Sequence, residues 1–238
     1  MNKHRSHKAE ELLARSDCFP LSSGVSVYQI TENVFCAAFG DFFDLAMTFM
    51  RANEFTESPD PKIRGNPLKL IELIKLYSME SGGSFNYAAE MGAFALEKSQ
   101  IRKTIRGGLA DTSEHDFRML ALFGYCSAMC SGDWVLIGIP LEKDSIGFFA
   151  HELAHAFYAQ NKSYRSMCDT LVSEMSTESR QYLFDSLASH GYASDVLMDE
   201  AQAYLSTGVF DNIRAPKEEC KPFEDLFDSI LSEVIHGG

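Results

Sequence analysis

The consecutive residues His151-Glu152-Leu153-Ala154-His155 have the types and spacing of a hydrolytic metal site. On a helix, two histidines four positions apart lie about 40° apart around the axis, so both imidazoles face the same way and can reach one ion. Glu152 falls on the flank of that face, in reach of a water beside the ion without serving as a ligand. On the opposite face Ile146, Ala150, Leu153 and Phe157 recur at i, i+4, i+7 and i+11, the apolar stripe that anchors a helix in a core. With the His and Glu frequencies of this chain, an accidental HExxH arises on the order of one or two times in a hundred. The competing reading, two histidines satisfied on a helix face, gives no reason for the match to fall in a helix directly after a strand.

The elements that must position these residues follow from periodicity and capping. Residues 134–139, Trp-Val-Leu-Ile-Gly-Ile, form a continuous β-prone run between Ser131-Gly132-Asp133 and Pro140, which predicts a strand. Asp144 or Ser145 then caps the motif helix, which reaches about Gln160, and helical patterns follow over 163–176, 178–189, 196–207 and 216–235. Upstream, residues 1–20 read as a short helix or a frayed arm. The segments 25–30 and 34–39 read as a β-hairpin broken at Thr31-Glu32-Asn33. Helices are expected over 41–53 with Asp41 as cap, over 67–79, over 88–105 despite Gly92, and from Ser113, at capping-box spacing from Asp116, to about Met129. Residues 56–66, with Pro59, Pro61 and Gly65, read as a loop and a candidate cleft wall. The expected fold class is helix-rich α+β. It is one domain over 1–238, with possible sub-lobes 1–130 and 131–238.

Composition narrows the partners. With 238 residues, 45% of them hydrophobic, the chain can bury one full core. A formal charge of −13 argues against a nucleic-acid partner, which needs Lys and Arg to neutralise phosphates. The same field favours a cationic substrate segment, although acidity also serves solubility. Six scattered cysteines read as reduced, buried thiols; Cys126 and Cys130 share a helix face with no second ligand pair, which favours core packing. The charged first residues lack a secretory signal and no run of 18 apolar residues occurs, so no membrane partner is expected. Cytoplasmic residence is the default, with leaderless export left open.

Strand, short connection and HELAH-bearing helix together resemble the core of the zincin metallopeptidases, over residues 133–210. No closer family is recognised for residues 1–130. The resemblance implies a peptidase with one catalytic Zn2+ and a peptide or protein substrate. It also implies a small sheet whose edge strand, here residues 134–139, precedes the motif helix, borders the cleft and pairs with extended peptide. The metzincin extension would need Gly and His where this chain has Tyr158 and Asn161. Gluzincins draw a third ligand, Glu, from a later helix, and Glu200 fits, beside the apolar residues Leu197, Ala201 and Leu205. An inward Glu there needs a cation or a donor. Asp199 and His190 are the alternative ligands; otherwise Asp199 and Glu200 are solvated acids at a helix start.

Many gluzincins place an acid four residues after the ligand Glu to orient a metal-binding His, but here that residue is Tyr204. An orienting partner is still expected on physical grounds, and Asp199 is a candidate. Tyr204, His190 or Tyr192 could donate to a developing oxyanion, against core or capping roles for each. Cys18 is similar to the inhibitory thiols of some zymogens but lacks a recognisable propeptide. The expected chemistry is zinc held by His151, His155 and Glu200, with Glu152 as general base. Two alternatives are a catalytically inactive zincin-like binding protein and a metal-free helical interaction module.

Overall fold

A computed structural model of the chain describes residues 3–22, 24–80, 82–141, 145–208 and 217–237. Two compact units form: Asp17–Ser145, and Met1–Ser16 together with Ile146–Gly238. The division falls at residue 145 rather than near 130, and the first helix, α1 (Lys3–Arg15), belongs with the C-terminal unit.

The unit Asp17–Ser145 opens with an antiparallel meander of β1 (Asp17–Ser22), β2 (Val25–Thr31) and β3 (Val34–Phe39). The hairpin read at 31–33 is the β2–β3 turn, closed by the pair Thr31 and Val34. Next come α2 (Phe42–Glu57) and α3 (Leu70–Glu80). Asp41 caps α2 by accepting from the Asp44 amide at 2.8 Å. The helix expected over 88–105 is instead α4 (Tyr87–Glu90), the strand β4 (Phe94–Glu97) and α5 (Lys98–Gly107). Phe94 and Leu96 point into the core while Glu97 is exposed, a period of two rather than 3.6. Glu97 and Gln100 then restart the helix with a capping box. The capping box read at Ser113 and Asp116 opens α6 (Glu114–Met129).

The last strand, β5 (Val135–Pro140), runs parallel to β3 and antiparallel to β4, giving the mixed order β1-β2-β3-β5-β4. The fold is helix-rich α+β, but the strand before the motif helix is not an edge. β3 pairs with all six of its residues and β4 covers Val135 to Gly138, so those residues have no open side for a peptide. All six β5 residues are buried, as suits an internal strand, and its unbroken apolar run is the corresponding sequence pattern.

The second unit is helical: α1 with α7 (Ile146–Gln160), α8 (Lys162–Glu174), α9 (Thr177–Ser189), α10 (Leu197–Thr207) and α11 (Lys217–Gly237). At its centre α10 packs against α7, α8, α9 and α11. Asn161 joins the motif helix to α8 in one residue, its side chain accepting from the amides of Ser163 and Tyr164 at 3.0 Å. α1 packs on α7 and α11 through buried Ala9 and Leu12, with Lys8 Nζ donating to Ser232 Oγ at 3.0 Å. The cap read at Asp144 lies outside the described residues.

All six cysteines are free thiols. Cys36, Cys126, Cys168 and Cys220 are buried, and burial pushes the Cys126 and Cys168 thiols up to about 12, so they are unreactive core residues. Among the described residues no helix is long and apolar enough to cross a membrane.

Candidate metal centre

Two helices of the C-terminal unit build the site. The apolar stripe of α7 fixes its rotation: Ala150, Leu153 and Phe157 are buried, which turns His151 and His155 toward α10. Ala201, Ala203 and Leu205 are fully buried on α10, and Glu200 takes its place in the first turn. The result is a group of three possible metal ligands, His151, His155 and Glu200. His151 Nε2 and His155 Nε2 are 3.2 Å apart, and Glu200 Oε2 lies 3.9 Å from the first and 3.7 Å from the second. From these three distances, the equidistant point in the plane of the three atoms lies about 2.1 Å from each, and points off that plane lie farther, so the spacing is on the scale of zinc–nitrogen bonds. The ligand set thus fits a small divalent ion.

Each imidazole is oriented through its other nitrogen. His155 Nδ1 donates to Asp199 Oδ1 at 2.9 Å, which leaves Nε2 as the ring nitrogen available to a metal ion. Asp199, one of the alternative ligands in the sequence, therefore acts as the orienting acid. His151 Nδ1 lies 3.4 Å from Thr207 Oγ1, whose own proton goes to the Ala203 carbonyl at 2.7 Å, so the hydroxyl oxygen accepts from the ring. Both rings then present Nε2 to Glu200.

Electrostatics divides the pair. Burial pushes His151 well below the usual imidazole range, and the charge of His155 adds to this. Burial acts on His155 in the same sense but is outweighed by the carboxylates of Asp199, Glu200 and Glu152, which hold it well above that range. At 3.2 Å the two Nε2 atoms are within hydrogen-bond distance of each other, a contact that needs a proton on one of the two rings.

Glu152 is half-buried, and its charge acts on His155, Tyr192 and Tyr204. Tyr204 packs edge-on against His151, ring centroids 4.7 Å apart, and its hydroxyl is 2.9 Å from that of Tyr192. Burial pushes Tyr204 up to about 12, its hydrogen bond with Tyr192 acts the other way, and Glu200 and Glu152 raise it further. Tyr204 is thus a protonated hydroxyl beside the ligand group at neutral pH. His190 is not part of that group. It is exposed, it caps the C-terminus of α9, and its Nδ1 donates to the Ser186 carbonyl at 2.8 Å. Gln202 and Thr207 were missed in the sequence; a polar residue inside the buried stripe of α10 is the one signal that marks them.

No known protein family, curated protein or solved structure matches this chain.

Proposed function

We propose that this chain is a zinc-dependent metallopeptidase. The observation that carries the reading is the convergence of His151 Nε2, His155 Nε2 and Glu200 Oε2 next to Glu152 on the same turn of α7. Two neutral imidazoles and one carboxylate are a ligand set suited to catalytic zinc. A peptide as substrate is carried by the resemblance of the HELAH helix to zincins. When bound, zinc supplies Lewis acidity toward a water and toward the substrate carbonyl.

The residues then divide the work. Asp199 and Thr207 hold the two imidazoles with Nε2 inward. Glu152 is the only carboxylate of the HExxH turn outside the ligand set, and it takes the proton of the attacking water and passes it to the leaving nitrogen. Tyr204, kept protonated, donates to the oxygen that gains charge, and Tyr192 supports it by donating to Tyr204. A purely structural zinc site has no use for a base at this position, which favours catalysis over an inactive binding protein.

The test is metal analysis of the purified full chain together with turnover of a mixed peptide library. One zinc per chain and metal-dependent cleavage are expected. Glu152→Gln should retain the zinc and lose turnover; cleavage at wild-type rates by this variant removes the mechanism.

A further inference from the structure

We infer that Gln202 is a positioning residue that holds the Asp199 carboxylate against His155; the inference rests on the metal-site reading above. Gln202 has 0% of its surface exposed, and a buried amide must satisfy two N–H donors and a carbonyl oxygen. Its Nε2 donates to Asp199 Oδ1 at 3.0 Å and to the Ala154 carbonyl of α7 at 3.3 Å. Its Oε1 accepts from the Tyr164 hydroxyl at 3.1 Å and from Cys168 Sγ at 3.9 Å, both on α8. Turning the amide over would set Oε1 against a carboxylate and a carbonyl, neither of which has a proton to donate. Only one orientation is possible.

That orientation matters because one atom, Asp199 Oδ1, receives both Gln202 Nε2 and His155 Nδ1. The Asp199 side chain is 37% exposed, so solvent competes for it, and Gln202 is the buried group that keeps it facing the ring. Tyr164, itself fully buried and within 3.2 Å of Ser206 Oγ, fixes the far end of the amide. A side chain such as Leu would fill position 202 without requiring four polar partners, so what the amide adds at this position is its bonds. The line Tyr164, Gln202, Asp199, His155 thereby sets which nitrogen of His155 faces the ion.

The experiment uses the full chain with Gln202→Met and Tyr164→Phe. Zinc affinity is measured by chelator competition, the visible spectrum of the cobalt(II)-loaded protein is recorded, and Tm is taken on chelator-treated protein. Gln202→Met should weaken zinc binding about 10- to 100-fold and shift the cobalt bands, with Tyr164→Phe weakening it about threefold to tenfold. If Gln202 only cross-links helices, Tm falls in both variants while zinc affinity and the cobalt spectrum stay those of the wild type, and the inference is overturned. Should Gln202→Met fail to fold, Tyr164→Phe decides by the same readouts. A wild-type chain that binds no zinc overturns the metal-site reading and this inference with it; a zinc-binding wild type beside equally tight variants overturns this inference alone.

Discussion

The Nε2 atoms of His151 and His155 stand 3.2 Å apart, a distance at which two lone pairs repel unless a proton or a metal ion lies between them. Each ring offers its Nδ1 proton to a fixed oxygen, Asp199 Oδ1 or Thr207 Oγ1, so neither ring can turn away without breaking that bond. A proton on one Nε2 and the proposed metal ion would occupy the same place, so the two would be alternatives.

This competition gives the chelator-treated protein a stability maximum. His155 is raised in the fold, so the stability it contributes is full below the unfolded imidazole value of about 6.5 and is lost as pH rises through its folded value. His151 is depressed, so below about pH 6.5 the unfolded ring takes up a proton that the folded ring refuses, and stability falls toward acid. Urea unfolding between about pH 5.5 and 8 should show stability falling on both the acid and the alkaline side of about 6.5. On the proposed reading, added zinc would take the place of a proton at this pair and should flatten the alkaline side. A metal-free stability that does not decline above pH 6.5 would contradict a raised His155.

How much of this was legible in the sequence depended on whether the cause was local. The HELAH helix and the caps at Asp41 and Ser113 were readable because periodicity and capping act within a few residues. β4 was not: four residues become a strand through pairing with β5, a contact that local propensity does not encode. Asp199 and Glu200 are adjacent acids about 100° apart on a helix, so they meet the imidazoles at different nitrogens, and the rotation of α10 that turns Glu200 toward both Nε2 atoms is set by packing at Ala201 and Leu205. Gln202 and Thr207 were missed because a sequence shows a polar residue in a core stripe without showing its partner.

As a proposed ligand Glu200 would bring a full negative charge to the ion, and Gln keeps its shape without that charge. Glu200→Gln should raise the zinc dissociation constant by about 100-fold or more, beyond the effect expected of Asp199→Asn, which removes only the orienting charge and should cost about 10- to 100-fold. Chelator competition on the three proteins measures this. Unchanged affinity in Glu200→Gln would exclude Glu200 as a ligand.

Tyr204 has two separable roles, because its ring packs on His151 while its hydroxyl carries the donor. Tyr204→Phe keeps the ring. Steady-state kinetics should show kcat lowered by about 100-fold, with KM and zinc content near wild type, as for loss of one oxyanion donor. If kcat is retained, Tyr204 serves the core alone.

In the other unit the sheet is closed against α2 at one residue without a side chain. A Cβ on Gly138 of β5 would lie 2.6 Å from both Cε2 and Cζ of Phe49 and 2.9 Å from Leu45 Cδ1. Phe49 has little room to retreat, being stacked on Phe94 at 5.1 Å and set edge-on to Phe39 at 6.1 Å. Gly138 is meanwhile held in register by Ala37 on one side and Phe94 on the other. Gly138→Ala should therefore destabilise this unit by about 1–3 kcal/mol, as overpacking in a close-packed core does. The check is a lower urea midpoint at unchanged m for the transition that reports Trp134 fluorescence, since Trp134 is buried in the same core. An unchanged midpoint would mean that Phe49 can repack, and that α2 is not seated on β5 as tightly as its contacts imply.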